Sequence, residues 1–143
     1  MNIFNVHPKD KLVLIHLNKG DDMLDCIIKA IEKYNIKNGV IVSLIGTLDK
    51  ACFHMIQTTK DIPTNKFYSV QGPIEVTSGQ GLIINGEPHI HVSFASPEHA
   101  YMGHLEKGCR VLYLAEIAIQ ELSDDNLIRK SNNYGIEYLT IQE

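Results

Sequence analysis

Apolar side chains recur at every second position along most of this chain, and at every third or fourth position along one short stretch. That stretch holds Leu24, Ile27, Ile28, Ile31 and Tyr34, with Lys29 and Lys33 between them. The spacing predicts one amphipathic helix from about residue 22 to about residue 35. Gly20-Asp21-Asp22 interrupts the preceding apolar run and offers an N-cap. Asp25 near the start and Lys33 near the end suit the helix dipole. Elsewhere the pattern predicts strands, over 11–17, 39–48, 51–58, 66–70, 74–77, 81–84, 87–95, 109–121 and 136–141. Gly72-Pro73 predicts a turn between two of them, Ser78-Gly79-Gln80-Gly81 reads as another, and Asn85-Gly86 is a hairpin signal. One early helix against roughly six to eight strands predicts an α+β fold with a mainly antiparallel sheet. No repeat, low-complexity segment or linker divides the chain, so residues 1–143 are expected to form a single domain.

Composition narrows the function classes. The chain has 143 residues, 44% of them hydrophobic, which is enough to bury a sizeable core. No apolar run approaches the ~18 residues of a membrane span. The N-terminal segment lacks the basic-then-apolar order of a signal peptide, so a cytoplasmic location is expected. Formal net charge is −4, and no Lys/Arg cluster exceeds the Arg129-Lys130 pair. Nucleic-acid binders usually present a basic patch that displaces counterions, so the sequence speaks against nucleic acid as a partner. Cys26, Cys52 and Cys109 are odd in number and widely spaced, which fits small core residues better than disulfides or a thiolate metal site.

The candidate chemistry is concentrated in histidine. His89 and His91 lie two apart on a predicted strand, so their imidazoles share a face. His104 follows in Gly103-His104-Leu105, where a turn at Gly103 is expected to return it over the pair. Three neutral imidazoles with an open fourth position form a known zinc arrangement. A His-x-His pair alone is a weak motif, more often read as ordinary strand residues. Glu116 interrupts the apolar strand 109–121 and is the candidate carboxylate: a structural partner, a support for a metal-bound histidine, or a general base. Glu87 shares the parity of His89 and is a further candidate. His7, His16, His54 and His99 have no spaced partner, although His99 lies in the segment leading to His104. No P-loop, HExxH, GxSxG or dinucleotide fingerprint occurs.

Several segments together resemble the plants-and-prokaryotes conserved domain, also called the PPC or DUF296 domain. They are Gly20-Asp21-Asp22, Ser43-Leu44-Ile45-Gly46-Thr47-Leu48, Gly86-Glu87-Pro88-His89-Ile90-His91-Val92-Ser93, Gly103-His104-Leu105, Gly108-Cys109-Arg110-Val111 and Ala115-Glu116-Ile117. Their order and spacing cover most of the chain. Met102 departs from the glycine more usual there. The resemblance implies an α+β domain that assembles as a homotrimer. It also implies that His89, His91 and His104 hold zinc or a similar divalent metal. Plant relatives join the domain to AT-hook segments with an Arg-Gly-Arg-Pro core. That core is absent from this sequence, so the family's DNA-binding label transfers poorly. The leading expectation is a trimeric metal-binding protein, a regulator or a binder of a small molecule at the metal. The alternative is a zinc-dependent enzyme of hydrolase or lyase type. Substrate and catalytic residues are not readable from the sequence.

Overall fold

In a computed structural model, residues 1–123 and 126–142 are described. Strand β1 (Pro8–Asn18) leads to helix α1 (Met23–Tyr34). The long strands β2 (Gly39–Ile56) and β3 (Asn65–Ile84) follow. After them come β4 (Glu87–Ala95), β5 (Ala100–Leu105) and β6 (Arg110–Leu122). A hairpin of β7 (Leu127–Ser131) and β8 (Glu137–Ile141) follows them in the chain. The main sheet runs β1-β6-β2-β3-β4-β5, antiparallel throughout. Its last strand also pairs with β2, so β2, β3, β4 and β5 close into a small barrel. Among the described residues, no helix is long and apolar enough to cross a membrane.

The helix forms where its spacing predicted. Asp22 caps it by accepting from the Asp25 N–H at 3.0 Å, and Asn35 ends it in the left-handed region at φ 48°. Met23, Ile27, Ala30 and Ile31 are buried beneath it. Each of the larger ones contributes about 1.5–3 kcal/mol by leaving water. The second carboxylate oxygen of Asp22 accepts from the Gly108 N–H at 2.6 Å, which ties the helix start to the approach to β6. Cys109 is wholly buried, and burial pushes its thiol up to about 12. It packs as core, as its isolation in the sequence predicted. The cysteines are all free.

Three turn expectations fail, one because the residues form a bulge and two because neighbouring strands approach closely. Gly72-Pro73 is a bulge inside β3, opposite Leu48–Lys50, with Gly72 at φ 135°. A bulge leaves one N–H unpaired, so the missing donor of Pro73 costs nothing there. The Ser78–Gly81 run is also strand. A Cβ on Gly81 would lie 2.2 Å from the His89 carbonyl oxygen, so the glycine permits contact between β3 and β4. Gly103 is likewise within β5, where a Cβ would meet the His54 carbonyl oxygen at 2.5 Å. His104 therefore stands on a strand, not on a returning turn. The hairpin at Asn85-Gly86 is present, with both residues at positive φ.

The close approach at Gly81 has a measurable consequence. Gly81→Ala should destabilise the domain by about 1–3 kcal/mol or more, because the intruding methyl meets backbone rather than a movable side chain. Urea unfolding monitored by circular dichroism checks it; an unchanged midpoint would contradict the packing.

Candidate metal centre

One parity rule builds the centre. Phe53, Ile90, Val92, Phe94 and Leu105 point into the barrel and are buried. Their strand neighbours must point out. Those neighbours are His54 on β2, His89 and His91 on β4, and His104 on β5, with Glu106 just past its end. Register then aligns them. His91 pairs with His104, and His104 pairs with His54, so three imidazoles stand in one row across three strands. His89 sits one step along β4.

The rings converge. His89 and His91 have centroids 5.2 Å apart, His89 and His104 4.9 Å, and His91 and His104 5.7 Å. The Nε2 atoms of His89 and His91 lie 3.2 Å apart. Two nitrogens bound tetrahedrally at ~2.05 Å to one zinc would be about 3.3 Å apart, so this spacing suits a shared ion. His54 stacks on His104 at 4.5 Å, and its Nδ1 lies 2.6 Å from Glu106 Oε1. The His104 Nδ1 is 3.5 Å from the same oxygen. That contact is too long and poorly aimed for a hydrogen bond, and this buried nitrogen has no partner among the described residues. A small adjustment would let Glu106 accept from it and fix the ring's tautomer, leaving Nε2 available to an ion. The donors of His54, His104 and Glu106 also lie within 4.8 Å of one another. Among the described residues this is the group of three donors that lie so close to one another, and His89 and His91 stand beside it.

Burial lowers the pKa of His104 from its ordinary 6.5, and neighbouring His54 and His89 lower it further. His89 is lowered too, by burial first and then by His91. Both effects favour the neutral imidazole that ligation requires.

The three predicted histidines are brought together. Glu116 is not with them. It lies on the outer face of β6 between His16 and Ile45, exposed, with its Oε1 3.7 Å from His16 Nδ1. Strand β6 is outside the closed barrel, so no side chain of its outer face reaches the row. The buried carboxylate of this strand is Glu121, clamped by Lys9 and Lys11 at 3.1 and 2.7 Å. Glu87 contributes its backbone carbonyl, which accepts from Arg129 at 3.0 Å. His99 closes the turn between β4 and β5 with Ser96 and stays exposed. Sequence reasoning missed His54 and Glu106. Glu106 was within reach, since it stands two residues past His104. His54 carries no local signal, because only the pairing of β2 with β5 brings it in.

The histidines floor a cleft of about 910 Å³. Gln80 and Met102 share its floor, and Arg129, Ile136, Glu137, Tyr138 and Leu139 of the terminal hairpin overhang it.

A closed antiparallel barrel flanked by one helix, with a histidine row on its outer wall, defines a class of small α+β domain. The chain belongs to the Plants and Prokaryotes Conserved (PCC) domain family, whose model matches residues 5–123. Similar solved structures include a PPC protein from Pyrococcus horikoshii, 27% identical, covering 100% of this chain and 97% of that one with a TM-score of 0.80. A metal-containing protein from Archaeoglobus fulgidus is 23% identical over 98% of this chain and 99% of its own, with a TM-score of 0.81. A candidate DNA-binding protein from Bacteroides thetaiotaomicron is 14% identical over 98% and 99%, also at 0.81. No curated protein matches the sequence.

The depressed histidines set a pH dependence for the metal-free protein. Below 6.5 the unfolded chain binds protons that His89 and His104 in the folded chain resist. The unfolded state then holds more protons, so stability rises with pH across that window and is lost as pH falls through it. The melting temperature should therefore drop between about pH 7.5 and about pH 5.5, and His104→Gln should flatten part of the drop. Thermal scans of protein treated with chelator test both statements.

Proposed function

We propose that this protein holds one divalent metal ion, zinc or similar, on His89, His91 and His104, and acts as a small-ligand-binding or regulatory domain. The 3.2 Å approach of the His89 and His91 Nε2 atoms carries the reading. A neutral ring bearing its proton on Nε2 spans that distance by donating to the other, and two unprotonated nitrogens span it by sharing one ion. The unpartnered His104 Nδ1 beside Glu106 supports it, since metal-bound histidines usually donate their other N–H to a carboxylate. His54 is the outer partner, already engaged with Glu106. The Archaeoglobus relative, described as metal-containing, agrees with this reading. An ion bound there would supply Lewis acidity at an open coordination position.

A zinc-dependent hydrolase or lyase is the second reading. It is favoured by the His54–Glu106 pair beside the row, a histidine–carboxylate arrangement suited to moving a proton. DNA binding is not extended to this chain. Its net charge is −4, and Arg129 is the sole Lys or Arg among the described residues lining the cleft.

We further propose a homotrimer. Leu12 and Leu14 of β1, with Val42 and Ile45 of β2, are exposed along the β1-β6-β2 outer face, Leu14 at 74%. An apolar strip on a sheet's outer face is covered in most proteins by another chain. Light scattering at micromolar concentration should return three times the 16.1 kDa chain mass, whereas a monomer would refute the assembly.

Metal content tests the first proposal. His91→Ala should abolish stoichiometric metal in protein purified without a histidine tag, and His16→Ala should leave it intact. Glu106→Ala should keep the ion but weaken its affinity by about 10–100-fold, as expected for an outer support. A full equivalent retained in His91→Ala, with loss in His54→Ala, would move the ion to the His54, His104 and Glu106 set.

A further inference from the structure

Arg129 is the feature of the cleft that the metal reading leaves unexplained. It stands on β7, beyond residues 5–123 that define the family. Its Nη1 donates to the Glu87 carbonyl at 3.0 Å and its Nη2 to the Leu82 carbonyl at 3.3 Å. Those bonds pin the hairpin to the β3–β4 turn. They engage neutral acceptors only, and no carboxylate among the described residues comes within 4.0 Å of the guanidinium. A guanidinium has five N–H donors. Its remaining donors and its full charge are thus available beside His89 and His91, with which Arg129 lines the cleft. Burial lowers its pKa, which marks a cation partly stripped of water, and Glu137 and Glu87 offset this only in part.

We propose that Arg129 is the specificity residue for a small organic monocarboxylate, bound in the cleft with its carboxylate on the guanidinium and its body directed to the metal. The inference rests on the metal reading and names the ligand class of that site. Three observations select a carboxylate. The fork of a guanidinium matches its planar pair of oxygens. Arg129 is the one Lys or Arg among the described lining residues, and Glu137 stands on the same rim, so the site suits one negative charge rather than two. The remaining walls include Met55, Ile56, Met102, Ile136 and Leu139, which suit a short apolar body better than a hydrated phosphate.

The test uses full-length protein loaded with Co²⁺ in place of the resident ion. Cobalt uptake is measured first from its visible spectrum, and ligand binding to the loaded protein is then measured by titration calorimetry. Butyrate should bind saturably, and butyramide, its neutral counterpart, should bind at least about tenfold more weakly, given the strength of charge-assisted bonds. Arg129→Gln should erase the preference for butyrate while leaving cobalt stoichiometry at one. Arg129→Lys should keep the preference in reduced form. This second variant also covers a hairpin that fails to dock in Arg129→Gln, since a purely structural arginine would not govern discrimination by charge. Equal binding of butyrate and butyramide to the wild type, or an unchanged preference in both variants, would overturn the proposal while the metal reading stands. Tighter binding of inorganic phosphate than of butyrate would overturn the carboxylate assignment. Absence of cobalt uptake would overturn the metal reading and the shared site together.

Discussion

The approach of β5 to β2 at Gly103 is the contact on which the site depends. The pairing puts Phe53 opposite Leu105 inside the barrel and His54 opposite His104 outside it. Any side chain at Gly103 would strike the His54 carbonyl. Without that approach β5 would be a free edge, and His54 would not meet His104, which its pairing with His91 holds beside the β4 pair. The barrel's interior and the histidine row are two faces of one constraint. Phe53 packs on Tyr68, Phe94 and Tyr101 at centroid distances of 5.2, 5.7 and 6.0 Å. Aromatic packing inside thus fixes the positions of imidazoles outside, since alternate residues of a strand move together.

The histidines show why polar groups can be collected without ruining a fold. Four imidazoles and a carboxylate crowd one patch, yet none sits in the core. The cost of desolvation falls on partly exposed rings, where it appears as lowered basicity rather than as a buried charge. The largely apolar interior carries the stability, and the outer wall is left to the chemistry. Glu121 follows another rule. It is buried, and two lysines neutralise it.

Much of the architecture was legible in the sequence. The 3.6-residue period and its cap located α1, and Asn85-Gly86 located a hairpin, because both are local signals with local causes. The His89–His91 pair and His104 were legible as a group through spacing and resemblance. What escaped depended on distant backbone. Glycines at 72, 79, 81 and 103 read as turns, whereas three of them permit close neighbours and one sits in a bulge. Strand β5 was hidden because Gly103 breaks its apolar alternation. Glu116 stood out because it interrupts an apolar strand, but it lies on the outer face of β6, away from the barrel.

The order in which the chain acquires its site follows from the same pairings. His54 and His104 are fifty positions apart, and the partners of each lie on other strands. His89, His91 and His104 lie on the one β4–β5 hairpin, so pairing of those two strands brings them together, whereas His54 joins them only when β5 also closes against β2. Such non-local closure is slow compared with forming α1, so the helix and first hairpins precede it. An ion held as proposed would bridge β4 and β5 and oppose the opening of that pair.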